Sequence, residues 1–150
     1  ATLAPKVARV IEGEWRSVQK MLASTARPPR CLIAFDAHPG NFIVDADGVA
    51  WFVDLEKVHI GSPAIDLAHA ILPTSTLWHP DVGQTLTPGQ VAGFHTQFLA
   101  RIGVARAAEL EPWLRPMRRL TWLRSSMLMG RWRVRRRKVH GSIGGRPSPL

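Results

Sequence analysis

Apolar residues recur at three- and four-residue intervals in the first part of the chain: Val7, Val10, Ile11, Trp15, Val18 and Leu22. That spacing predicts an amphipathic helix over about residues 5–24. The helix must stop before Ala26-Arg27-Pro28-Pro29-Arg30, because proline lacks an N–H and restricts the residue before it. The run Cys31 to Phe35 then reads as a short buried strand. Two further β-rich runs, Phe42 to Val44 and Val49 to Val53, flank Asp45-Ala46-Asp47-Gly48, whose Asp and Gly suit a tight turn. They should pair as a hairpin.

Beyond residue 63 the pattern turns helical again. A short apolar helix is expected over residues 64–72, with Asp66 near its start, where a carboxylate can cap backbone donors or brace a neighbouring loop. Residues 73–86, rich in proline and polar turn formers, read as a loop. Thr87-Pro88 supplies a cap and a first-position proline for a helix to about residue 102. A long helix follows over residues 113–138, with an apolar stripe of Trp113, Met117, Leu120, Leu123 and Met127. The closing residues 141–150 are expected to form a disordered tail.

Composition narrows the class. A chain of 150 residues with 45% hydrophobic content suits one globular domain, burying roughly 70% of the surface its unfolded form exposes. Cys31 is the only thiol, and its apolar neighbours predict a buried, structural cysteine in a reducing compartment. No run approaches a membrane span and the N-terminus lacks a signal-peptide core, so a cytoplasmic location is expected. The net charge of +9 is concentrated in Arg115 to Lys138, with ten basic and no acidic residues. A solvated helix face is the simplest reading of that run; binding to nucleic acid or an anionic membrane is the alternative.

The chemistry lies in residues 36–66. Asp36, Asn41 five residues later, and Asp54 after a hydrophobic strand form the set that phosphoryl transfer uses: one carboxylate to orient the attacking hydroxyl, an amide and a second carboxylate for magnesium. Their oxygens suit a hard cation that keeps phosphate oxygens in its shell. The hairpin should carry both metal ligands to one edge, since Asn41 enters its first strand and Asp54 leaves its second. Glu56 could lie near the site or on the surface beside Lys57. No His pair has zinc-ligand spacing, and no Gly-x-Ser-x-Gly elbow or nucleophilic Cys motif supports hydrolysis.

The order of these residues resembles the aminoglycoside phosphotransferase and choline kinase family, small-molecule kinases with the protein kinase fold. Asp36, His38, Pro39, Gly40 and Asn41 match its catalytic loop. Asp54 and Glu56 match its metal-binding segment, and Gly61, Pro63, Asp66, Leu67 and Ala68 its third motif. Ala34 and Phe35 stand where the family has His and Gly, a change that bears on alignment of the loop. The resemblance implies a mainly helical α+β fold, the C-terminal lobe of a protein-kinase-like enzyme, over residues 1–140. Within it lie catalytic and metal-binding loops at 34–66 and a helical acceptor side at 73–138. It implies Asp36 as the catalytic residue, Asn41 and Asp54 as ligands of Mg2+ and thereby of ATP, and His38 and Asp66 as supports. The partner would be a small-molecule hydroxyl acceptor.

Residues 1–35 hold one glycine, Gly13, and no strand run before residue 31, so the nucleotide-clamping lobe of a kinase is not in this stretch. A missing N-terminal nucleotide-binding lobe is the partner this implies. Two rival readings follow: a catalytically inactive binding or regulatory module, and an anionic-surface binder acting through the Arg-rich helix.

Overall fold

The fold was analysed as a computed structural model, which describes residues 4–23, 26–77 and 83–141, with side chains to residue 129 of the last helix. The elements, in chain order, are α1 (Pro5–Leu22), β1 (Cys31–Ile33), a 3-10 turn (Pro39–Asn41), β2 (Phe42–Val44), β3 (Ala50–Phe52), β4 (His59–Gly61), α2 (Pro63–Ile71), α3 (Pro73–Thr76), α4 (Pro88–Ile102) and α5 (Val104–Gly141). The strands form two separate antiparallel pairs, β1 with β4 and β2 with β3. Helices dominate, and the mixture is α+β.

Helix α2 is the hub. Its apolar face, Ala64 and Leu67, packs on Leu110, Trp113 and Met117 of α5, and these five residues are all at least nine-tenths buried. Leu22, Phe98, Leu99 and Ile102 close the cluster from α1 and α4. Burying such side chains stabilises the fold by about 1.5–3 kcal/mol each. That gain offsets an apparent contradiction in α5, which runs unbroken through Pro112 and Pro116 although each removes a backbone hydrogen bond. The helix therefore starts at Val104, nine residues before the position that the sequence pattern suggested.

Helix α4 matches expectation closely. Thr87 Oγ1 accepts from Gln90 N at 3.2 Å while Gln90 Oε1 accepts from Thr87 N at 2.8 Å, a reciprocal capping box. Gly103, with φ +84°, makes the one-residue link from α4 into α5. The hairpin also agrees: Phe42 faces Phe52 and Val44 faces Ala50, and Asp45 Oδ1 gathers the turn by accepting from Asp47 N and Val49 N.

Several expectations fail. Cys31 is exposed, and Leu32 of the same strand is 67% exposed, because β1 pairs only with β4 and just Ile33 reaches the core. The stripe of α1 is half uncovered: Val18 is buried, yet Val7, Val10 and Trp15 are about half exposed. Met127 is exposed, so the buried stripe of α5 ends before it. The segment expected as a loop begins with α3, and its residues 78–82 lie outside the described residues. The expected tail begins at residue 141, yet Gly141 belongs to α5; residues 142–150 lie outside the described residues, as do the side chains of the Arg-rich stretch from residue 130. Earlier in that basic run, Arg119 turns inward to Glu14 at 3.1 Å and to Ser17, tying α5 to α1.

Candidate active site

The loop between β1 and β2 owes its shape to Asp66. Its two carboxylate oxygens accept from Ala34 N and Phe35 N, each at 2.8 Å. Both oxygens thus serve the loop and neither caps α2, whose first residues lack a side-chain cap. Phe35 sits at φ +66°, a left-handed conformation that costs a bulky residue about 1–2 kcal/mol. The twin hydrogen bonds that Asp66 accepts help offset that strain.

Phe35 is further held by its ring. The Arg124 guanidinium of α5 lies 4.2 Å from the ring centroid, in cation–π contact. His59 of β4 meets it edge-on at 4.6 Å, and His69 of α2 does so at 6.1 Å. His69 is buried; its Nδ1 contacts Ser75 Oγ at 3.2 Å, while Nε2 has no hydrogen-bond partner. Burial pushes the imidazole below its ordinary pKa, with Arg124 adding to the effect and Asp36 and Asp66 opposing it.

After Phe35 the chain passes Asp36 and enters the 3-10 turn. His38 Nδ1 accepts from Gly40 N at 3.1 Å, folding its ring over the turn. A Cβ on Gly40 would fall 3.0 Å from that ring, so glycine suits the close approach. Asn41 is buried, and its Nδ2 donates to the Asp36 carbonyl at 2.9 Å. That bond orients the amide and leaves Oδ1 as the end with ligand chemistry. The Asn41 carbonyl in turn accepts from Val53 N at 2.8 Å, so the ladder continues past the strand ends and the chain delivers Asp54 beside the loop. Asp54 has φ +61°, a conformation that Asp tolerates better than most residues.

Lys57 is the group that sequence reasoning passed over. Its Nζ lies 2.5 Å from Asp36 Oδ2, with the two side chains 49% and 24% exposed. The hydrogen bond to Asp36 chiefly raises the lysine pKa, with smaller contributions from the charges of Asp36, Glu56 and Asp54. Glu56 is an exposed neighbour 4.0 Å away. Arg124 and His69 were also missed; neither belongs to a local motif, and both reach the loop only through tertiary packing.

Among the described residues no group of three or more His, Cys, Asp or Glu side chains could cage a metal. Asn41 Oδ1 and Asp54 offer hard oxygen donors that would suit magnesium shared with phosphate oxygens, since that ion rarely takes an all-protein cage. A cavity of about 460 Å³ lies elsewhere, between the end of α1 and α5, lined by Met21, Arg27, Pro29, Glu109 and Trp113. None of Asp36, Asn41 and Asp54 lines it. No helix in the described residues is long and apolar enough to cross a membrane.

Neither a curated protein nor a solved structure matches the chain. Residues 2–114, about three-quarters of its length, match the model of the phosphotransferase enzyme family (APH), and that span includes the braced loop, the hairpin and α2. The chain belongs to the phosphotransferase enzyme family.

Proposed function

We propose that this chain is the helical lobe of a protein-kinase-like phosphotransferase that moves a phosphoryl group from ATP to a small-molecule hydroxyl, with magnesium as cofactor. One observation carries the reading. Two hydrogen bonds, Asn41 Nδ2 to the Asp36 carbonyl and Val53 N to the Asn41 carbonyl, link residue 36 through residue 41 to the neighbour of Asp54. Positioning is what this reaction demands, because the transferred group needs little covalent help from the protein.

Asp36 orients the acceptor hydroxyl and takes its proton. Asn41 Oδ1 and the Asp54 carboxylate would hold the magnesium, which supplies neutralisation of phosphate charge when bound. His38 and Asp66 keep the loop in shape through the bonds described above. Phe35 adopts the positive φ that glycine takes without strain, which supports a loop that keeps its working conformation despite the bulky residue. Ile43 and Trp51, a cross-strand pair on one face of the hairpin, are 58% and 60% exposed. That apolar face supports coverage by a separate nucleotide-binding lobe, without which residues 1–150 turn over slowly. The basic α5 disfavours a polycationic acceptor such as an aminoglycoside.

Calorimetric titration of the full-length protein with MgADP, alongside turnover, tests the assignment. Asp54→Ala should lose both nucleotide affinity and transfer. Asp36→Ala should keep affinity within about twofold while losing turnover, since it acts in the chemical step. Equal loss of affinity in both variants refutes the division of roles.

A further inference from the structure

Lys57 has no role in the assignment above, yet it is ion-paired with Asp36, the candidate catalytic carboxylate. It sits in a turn closed by Val58 N donating to Leu55 O at 3.2 Å, and its own carbonyl is contacted by His59 Nδ1 at 2.8 Å. The turn is thereby tied to β4, and the side chain reaches back across 21 residues to Asp36. Its ammonium lies 2.5 Å from Asp36 Oδ2 and 4.0 Å from Glu56 Oε1, and the bond to Asp36 chiefly raises its pKa. An exposed ion pair of this kind adds only about 0–1 kcal/mol to stability. Fold stability is therefore a poor reason for a lysine here.

We propose that Lys57 is a catalytic cation of this site, donating from its ammonium to the phosphoryl group during transfer. The inference rests on the phosphotransferase reading. An ammonium has three donors, and one of them binds the carboxylate that orients the acceptor hydroxyl. The transferred phosphorus must come within bonding distance of that hydroxyl, so its oxygens arrive beside Nζ. In the step, the hydroxyl oxygen bonds to the γ-phosphorus as the bond to the bridging oxygen breaks. ADP leaves with the electron pair, and the hydroxyl proton passes to the Asp36 carboxylate. Lys57 stays protonated throughout. Its charge counters the negative charge spread over the phosphoryl oxygens, and the same contact with Asp36 keeps the two approaching anions from repelling.

The test compares affinities of the full-length protein for MgADP alone and for MgADP with aluminium fluoride, a planar mimic of the phosphoryl group in flight. Lys57→Met should bind MgADP within about twofold of wild type but lose about tenfold or more for the aluminium fluoride complex. Lys57→Arg, which keeps the charge, should recover part of that loss. Thermal melts confirm folding, which a half-exposed side chain should not upset. Equal losses for both ligands, tighter binding by the Met variant, or no gain from aluminium fluoride in wild type would each overturn the proposal. Failure of wild type to bind MgADP at all would instead sink the phosphotransferase reading beneath it.

Discussion

Replacing Asp66 with alanine should strip the loop of its brace. The carboxylate makes two hydrogen bonds to backbone N–H groups at 2.8 Å, and both are partly buried. Bonds to a charged acceptor contribute about 1.5–3 kcal/mol each, and a buried donor left without a partner costs about 1–3 kcal/mol. Water can reach part of this site, so the lower half of the combined range applies, about 2–4 kcal/mol. This exceeds what loss of a helix cap would bring, about 0.5–2 kcal/mol. For a chain of this size each kcal/mol moves the midpoint by about 2–4 °C, which gives a fall of roughly 5–15 °C. Differential scanning calorimetry on wild type, Asp66→Ala and Asp66→Asn reads it directly. The Asn variant keeps one acceptor oxygen but presents an NH2 to the second donor, so it should fall between the other two. A melt of Asp66→Ala within about 1 °C of wild type would refute the brace.

The other expectations are narrower. At residue 35, Phe35→Gly should be more stable than Phe35→Ala by about 1 kcal/mol in urea unfolding, because glycine alone accepts φ +66° without strain; the opposite order would mean that the loop has another backbone. His69 has a depressed pKa in the fold, so the unfolded chain binds its proton more readily. Stability from this group is present above about pH 6.5 and is lost as pH falls below it. His69→Asn should flatten that part of the melting-temperature profile, leaving the slope contributed by His95, whose pKa is lowered chiefly by burial and further by Arg118. An unchanged profile would show that His69 is not the group responsible. The asymmetry between Asp54→Ala and Asp36→Ala, and the selective loss in Lys57→Met, complete the set.

Local rules settled those parts of the chain whose partners are near in sequence. The hairpin is one such part, since a Phe42-to-Val44 run, an Asp-Gly turn and a Val49-to-Val53 run meet within twelve residues. Another is the start of α4, where Thr87, Pro88 and Gln90 make the cap among themselves. The candidate site residues Asp36, His38, Asn41, Asp54 and Asp66 are proposed from a signal that is also local, their order along one segment of chain, and the family match spans that segment without assigning their roles.

Tertiary structure decided what depends on distant partners. Periodicity carried the helix through Pro116 but could not reveal that α5 would also run back through Pro112 to Val104, because burial of Leu110, Trp113 and Met117 against α2 outweighs the lost backbone bonds. Nor could it reveal that β1 would leave Cys31 in solvent, since exposure depends on which elements cover a strand and not on its composition. The pairing of β1 with β4 joins segments nearly thirty residues apart. Lys57 on Asp36, Arg124 on Phe35 and Asp66 on the backbone of residues 34 and 35 are contacts of the same kind. A side chain's charge and reach are written in the sequence; the partner it meets depends on the folding of two segments onto each other, which no local spacing records.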